Sequence, residues 1–254
     1  MKWNYNDYVI WKDKGCPINL DVLELDISKR GLKTFNKIEN LKFLQILDCS
    51  NNDIKSLNEL RNLKFLTILD CSSNELLSLE GINNCISLQK LYCSFNKITT
   101  LKDICMLTNL KIFCCFVNRL TSLRGINNLT NLKELSCRDN KITSLKDLSE
   151  LINLKCLDCS TNNISSLEGL NNLKNMQALN CSINKITSLE ELTNLKKLIF
   201  LYCGHNEISS LEGISNLTNL REFFCNRNNI TSLEEIYNFV NLQFFQVQFY
   251  RRCA

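Results

Sequence analysis

An α/β solenoid, in which short parallel strands stack along one axis, is the fold this sequence predicts. Three observations lead to it. The segment Leu154 to Ile164, LKCLDCSTNNI, recurs at a step of 22 residues, with the preceding copy starting at Leu132 and the following one at Met176. A repeat of that period, unbroken over most of 254 residues, marks stacked units that share one elongated core. Within each copy, Leu157 and Cys159 alternate with Asp158 and Ser160, the period-two pattern of a strand with one face buried. Finally, a circuit of 22 residues is too short to return through a long helix, so short 3₁₀ or single-turn pieces are expected on the convex side.

Residues 1–21 precede the repeat and carry Trp3, Tyr5, Tyr8, Val9, Ile10, Trp11, Ile18 and Leu20. The first unit of a solenoid has no neighbour to cover its open end, so this segment reads as an N-terminal cap with Trp3 and Trp11 as its large contacts. Ten units of 22 residues fill 22–241. The first, from Val22, is the most diverged, with Ile27 where later copies have Cys and Arg30 where they have Asn. Residues 242–254 begin a further strand and stop, a partial repeat and C-terminal cap. Between strands a second period appears: Gly81, Gly125, Gly169 and Gly213 stand 44 residues apart. The alternate units read S-L-N-E, T-L-K-D, S-L-K-D, S-L-E-E and S-L-E-E from Ser56, Thr100, Ser144, Ser188 and Ser232. Those five fit a capping box, in which the hydroxyl accepts a backbone N–H and the acid reaches back.

Two columns of the repeat read as structural. Cys49, Cys71, Cys93, Cys115, Cys137, Cys159, Cys181, Cys203 and Cys225 fill one inward position, with Ile27 and Val247 at the ends, so the slot takes a small hydrophobe. Asn52, Asn74, Asn96, Asn118, Asn140, Asn162, Asn184, Asn206 and Asn228 lie where the chain turns away from the sheet. There a side-chain amide can satisfy the backbone of its own and adjacent turns.

The pattern L-x-x-L-x-C-x-x-N-x-I resembles the leucine-rich repeat family, whose conserved segment is L-x-x-L-x-L-x-x-N/C-x-L, over roughly Val22 to Val247. Cys in place of the third Leu is the departure. The unit length is similar to the short-repeat class that includes bacterial internalins and a eukaryotic phosphatase regulatory subunit. The Cys-bearing, Asn-, Lys- and Ile-rich version most resembles repeat proteins of giant DNA viruses, which would place the chain in a host cytoplasm. The resemblance implies a curved sheet, a non-enzymatic role and a protein partner held on the concave face.

The residues themselves exclude several alternatives. With 30 Lys plus Arg scattered against 26 Asp plus Glu, nucleic acid is not the expected partner. The start of the chain, MKWNYNDYVIWKDKG, carries acidic and amide residues where an export signal has its apolar core, and no long uncharged apolar run exists. Neither that route of export nor a membrane span is expected. Fifteen cysteines held mostly in one inward column point to a reducing compartment, not to a disulfide framework. His205 is the only histidine and no phosphate-binding glycine motif is present, so no catalytic, cofactor or metal site is expected.

The variable positions on the strand face carry the functional expectation. Tyr92, Phe95, Ile112, Phe116 and Val117 form one apolar group. Phe200, Tyr202, Phe224 and Phe244, with His205 beside them, form another. Large apolar groups on one face mark a partner site, the alternative being rings that pack on one another across adjacent strands. Asp26, Asp48 and Asp70 form an acidic column that would either attract a basic partner or keep that end soluble. Phe244, Phe245, Phe249 and Tyr250 at the last strand raise the competing reading of self-association, a homodimer through the C-terminal edge. A second competitor, an internalin-like extracellular module, would need an export signal.

Overall fold

A computed structural model describes residues 1–247. The chain divides into two compact units, Met1–Leu120 with Arg124–Leu132 and Thr121–Leu123 with Lys133–Ala254. In the first unit the strands are β1 (Lys2–Trp3), β2 (Glu24–Asp26), β3 (Ile46–Asp48), β4 (Ile68–Asp70), β5 (Lys90–Tyr92) and β6 (Ile112–Cys114), and helix α1 spans Tyr5–Asp13. Each strand pairs in parallel with the next, so that Asp26, Asp48, Asp70, Tyr92 and Cys114 stand in register. The second unit holds β7 (Glu134–Ser136), β8 (Cys156–Asp158), β9 (Ala178–Asn180), β10 (Phe200–Tyr202), β11 (Glu222–Phe224) and β12 (Phe244–Gln246), again parallel and sequential.

The three-residue strands follow from the alternation. From β2 to β11 the middle residue, such as Leu47, Leu91, Leu157 or Phe223, is buried, while Phe245 in β12 is half-buried, and the two flanking residues face the other way onto an open sheet face. The chain then enters the cysteine position, where all nine thiols are fully enclosed. Cys49 Sγ donates to the Asp70 carbonyl at 3.2 Å and Cys71 Sγ to that of Tyr92 at 3.4 Å. Next comes the asparagine. Asn162 Nδ2 donates to the carbonyls of Cys137, Cys159 and Ser160, each at 3.1 Å, while its Oδ1 accepts from the Ile142 N–H at 2.9 Å. One side chain thus satisfies backbone groups of two successive turns, and Asn52 does the same for the diverged first turn, accepting from Arg30 and Leu32 N–H.

A second asparagine column, not anticipated from sequence, holds the return path. Asn109, Asn131, Asn175, Asn219 and Asn241 each donate to a carbonyl of the preceding turn at 2.8 to 3.0 Å. Near it, five 3₁₀ turns occupy Asn58–Leu60, Lys102–Ile104, Lys146–Leu148, Glu190–Leu192 and Glu234–Asn238, one in each unit without glycine. The expected capping box forms there only by half. Ser56, Thr100, Ser144, Ser188 and Ser232 accept from the N–H two residues on, at 3.1 to 3.3 Å, and the acid does not reach back. The five-residue turn Glu234–Asn238 behaves as the three-residue ones do. The complete box lies elsewhere, at the start of α1, between Asn4 and Asp7.

In the alternating units Gly81, Gly125, Gly169 and Gly213 take φ between +94° and +113°. A β-carbon on Gly169 would lie 2.4 Å from the Leu145 carbonyl oxygen, so the close approach of neighbouring turns demands glycine.

The N-terminal residues add a strand and a helix to the first unit. β1 adds to the sheet beside β2, and α1 buries Tyr8 and Trp11, with the Tyr8 hydroxyl donating to the Phe35 carbonyl. Trp3 and Trp11 pack at 6.2 Å between ring centres. At the other end Phe244–Gln246 pair with β11, whereas Phe249, Tyr250 and the remainder of the anticipated C-terminal cap lie outside the described residues.

Candidate functional site

The open sheet face is built from the residues that flank each buried strand centre and from the loop that follows. In the first unit Tyr92 is half-buried on β5 and Ile112 half-buried on β6. Beyond the strands, Phe95 and Phe116 meet edge to face with ring centres 5.1 Å apart. Val117 is half-buried beside Phe116, while Phe95 keeps 51% of its surface exposed. In the second unit Tyr202 and Phe224 pack at 5.2 Å between ring centres, with Phe200 half-buried and Phe244 58% exposed in the neighbouring column. His205 is exposed in the loop after β10.

Sequence reading missed a carboxylate at the centre of this second group. Glu222 stands in register between Phe200 and Phe244, and the Tyr202 hydroxyl donates to its Oε2 at 2.5 Å. Burial, with Glu222 alongside, pushes the Tyr202 phenol up to about 12. The bond fixes the tilt of the Tyr202 ring. Nothing in the periodicity singles out this glutamate, because the pairing depends on which side chains the register brings together.

A backbone feature adds weight to two positions. In each turn the residue two beyond the cysteine takes a left-handed conformation, among them Phe95 at φ 54°, Val117 at 52°, Ile183 at 56° and His205 at 55°. That region suits Gly, Asn or Asp and strains β-branched and bulky residues. Asn51 and Asp139 occupy it at other turns, so the fold accepts the favourable types. Ile183, 50% exposed, was missed by sequence reading, although it stands in the same column as Phe95 and Val117. Another aromatic pair, Phe43 and Phe65, stacks at 5.1 Å on the return path, away from the strand face.

The acidic column has a local task. The Oδ1 atoms of Asp26, Asp48 and Asp70 accept the backbone N–H of Ser28, Ser50 and Ser72 at 2.9 to 3.0 Å, closing the turn after each strand. Asn180 does the same toward Ser182 at 3.2 Å, so the task needs an oxygen and not a charge. The Ser28 N–H holds the Asp26 carboxyl below its ordinary range. Burial, with Asp48 adjacent, raises that of Asp70 despite its bonds to Ser72.

Burial also pushes up the enclosed thiols, Cys181 and Cys225 to about 12, and those of Cys49, Cys93, Cys159 and Cys203 well above the ordinary thiol value. Such thiols stay protonated, which removes the reactive thiolate form. None of the fourteen cysteines among the described residues is in a disulfide, and no three His, Cys, Asp or Glu side chains there are grouped as metal ligands would be. No helix among the described residues is long and apolar enough to cross a membrane.

Comparison with known proteins follows the same lines. A family model described as leucine-rich repeats, in two copies, matches residues 108–151, 152–194 and 196–238. No curated protein matches. Among solved structures, a leucine-rich repeat protein of Leptospira interrogans is 28% identical, with a TM-score of 0.83 over 98% of this chain and 72% of that one. The functional domain of InlJ from Listeria monocytogenes, described as including a cysteine ladder, is 32% identical, with a TM-score of 0.78 over 86% of this chain. The match spans 51% of that InlJ structure. An internalin C2 of the same organism is 28% identical, with a TM-score of 0.72 over 74% of this chain and 83% of that one. The strand repeat, the sequence match and these likenesses agree on a leucine-rich repeat solenoid, a fold that commonly serves protein–protein interaction, and the chain belongs to the leucine-rich repeat family.

Proposed function

We propose that this protein is a non-enzymatic recognition module that holds a protein partner on the concave, open face of its strands. The contacts are Tyr92, Phe95, Ile112, Phe116 and Val117 in the first unit and Phe200, Tyr202, His205, Phe224 and Phe244 in the second. One observation carries the reading. Phe95 and Ile183 combine a strained left-handed backbone with about half-exposed apolar side chains, at φ 54° and 56°. Neither the backbone nor solvation favours them there, so what they contribute is a surface for something else. Packing of the rings on one another accounts in part for Phe95, Phe116, Tyr202 and Phe224, yet leaves half of the Phe95 surface exposed and Ile183 without a reason. The nine enclosed thiols fit a reducing compartment such as a cytoplasm, viral-host cytoplasm included.

The test compares wild type with Tyr92→Ala/Phe116→Ala and Tyr202→Ala/Phe224→Ala as baits in host cytosol, with retained proteins identified by mass spectrometry. A protein held by wild type and lost from one double variant is the expected outcome. The Tyr202–Phe224 ring contact contributes about 1 kcal/mol beyond its buried area, and all four rings are only half-buried, so a melting-temperature loss of only a few degrees should accompany it. Equal retention by all three, or a large stability loss in both variants, sinks the reading in favour of packing. Mass that rises with concentration would point to self-association instead.

A further inference from the structure

The open face of the second unit is not flat. Between β7 and β10 a run of short side chains leaves a depression of about 300 Å³, lined by Glu134, Ser136, Cys156, Asp158, Asn180 and Tyr202 among others. Its floor is low because the columns that hold Phe200 and Tyr202 at β10 hold Cys156 and Ala178, and Asp158 and Asn180, on the strands before. The Tyr202 ring stands as one wall, fixed by its hydroxyl bond to Glu222 and by packing on Phe224. Glu134 closes the opposite end.

The charged groups around this depression are acidic. Glu134 makes no ion pair among the described residues. Asp158 commits Oδ1 to the Ser160 N–H and hydroxyl, at 3.1 and 2.6 Å, and its other carboxylate oxygen makes no hydrogen bond among the described residues. Asn180 Oδ1 accepts from Ser182, which leaves its amide for an incoming group. No lysine or arginine lines the depression, although Lys155 lies next to it in sequence. The Cys156 thiol on the floor is raised by burial and then by Glu134, with Lys155 acting in the opposite sense and less strongly.

We infer that this depression seats a lysine or arginine side chain of the protein partner, with the cation between Glu134 and Asp158 and its methylenes against the Tyr202 ring. The inference rests on the reading that the open face binds a protein. The volume stands at the lower limit of small-molecule sites, which suits one side chain better than a whole ligand. A carboxylate pair is complementary to a cation in charge, and the aromatic wall offers its methylenes an apolar surface. Because the wall and Asp158 are already held by bonds within the protein, little ordering is left for the moment of binding.

The probes are N-acetyl-lysine amide and N-acetyl-arginine amide, with N-acetyl-norleucine amide as the uncharged analogue, titrated into ¹⁵N-labelled full chain and followed by NMR. Saturable shifts of amides in β7 to β10 with the two cationic probes and not with norleucine are expected. Glu134→Gln with Asp158→Asn should weaken them by about thirtyfold. The fold tolerates both changes, since Glu134 is exposed and the side-chain oxygen of Asn180 already closes the turn after β9 in the way the substituted side chain would after β8. Shifts of equal size with norleucine, shifts that survive the double substitution, or no localised shift at all would each overturn the inference. The two readings fail separately. If cytosolic capture depends on the aromatic pairs while these shifts are absent, the basic side chain is wrong and the binding face stands. If the shifts appear but capture ignores the aromatics, the aromatic contacts fail and the cation seat on the open face stands.

Discussion

The left-handed residue of each turn shows how a single position can separate folding from function. The backbone there serves the tight exit from the strand, and ten non-glycine residues adopt it, from Lys29 to Arg227. Asn, Asp and Ser at this position follow the preference of the conformation, whereas Phe95, Val117 and Ile183 oppose it, at about 1 kcal/mol or more each. Ile183→Asn should therefore raise stability by about 1 kcal/mol in urea titration while weakening partner capture. A destabilised variant would mean that Ile183 packs and that strain is not the reason for noticing it. The sequence displayed this column in full. What it did not display is that the backbone turns left-handed there, because no glycine marks the position.

At the scale of one turn, the strand, the cysteine slot and the asparagine act together. Asn162 alone makes four hydrogen bonds to backbone, three as donor and one as acceptor, and so ties its turn to the one before. On the return path two solutions alternate, a 3₁₀ turn that begins after a Ser or Thr and a glycine turn that passes close beneath it. The pairing explains why glycine recurs at every second unit: at Gly169 a methyl group would run into the Leu145 carbonyl. Gly169→Ala should cost about 2 kcal/mol or more, read as a lower urea midpoint, because both the clash and the positive φ oppose it. A loss below about 0.5 kcal/mol would show that the turns separate without penalty. The 44-residue spacing was legible in the sequence, as were the hydroxyl residues before each 3₁₀ turn. The half-formed capping box was not, since four residues of pattern do not reveal which way the acid's side chain turns.

For the molecule as a whole, stability in a repeat architecture is the sum of similar units and their nearest-neighbour contacts. The nine enclosed thiols report on every one of those contacts. Iodoacetamide at mildly alkaline pH should leave all nine unmodified in the native protein, with the exposed Cys156 reacting, and should modify them only in concentrated urea. The barrier is both physical and electrostatic, since burial shields the sulfur and raises the pH at which it ionises. Native-state labelling at Cys159 by mass spectrometry would contradict the enclosure. Apart from Tyr202, which belongs to both, the clustered aromatics and the acidic depression lie on separate strands of the repeat, so loss of one recognition feature need not unfold the turns that carry the other.

The 22-residue period determined the strands, the buried columns and the two kinds of return path by itself, because each depends only on what recurs from turn to turn. The site was legible in part. Repetition makes the recurring positions obvious and leaves the variable ones as candidates, which is how Tyr92, Phe95, Tyr202 and Phe224 stood out. Tertiary structure decided the rest. Glu222 meets the Tyr202 hydroxyl, the aspartates of the acidic column close the turns that follow their strands, and short side chains at Cys156, Ala178 and Asn180 open a depression beside Tyr202. Each of these arises from register and side-chain reach between strands 22 residues apart, and distances of that kind are set only when the turns are stacked.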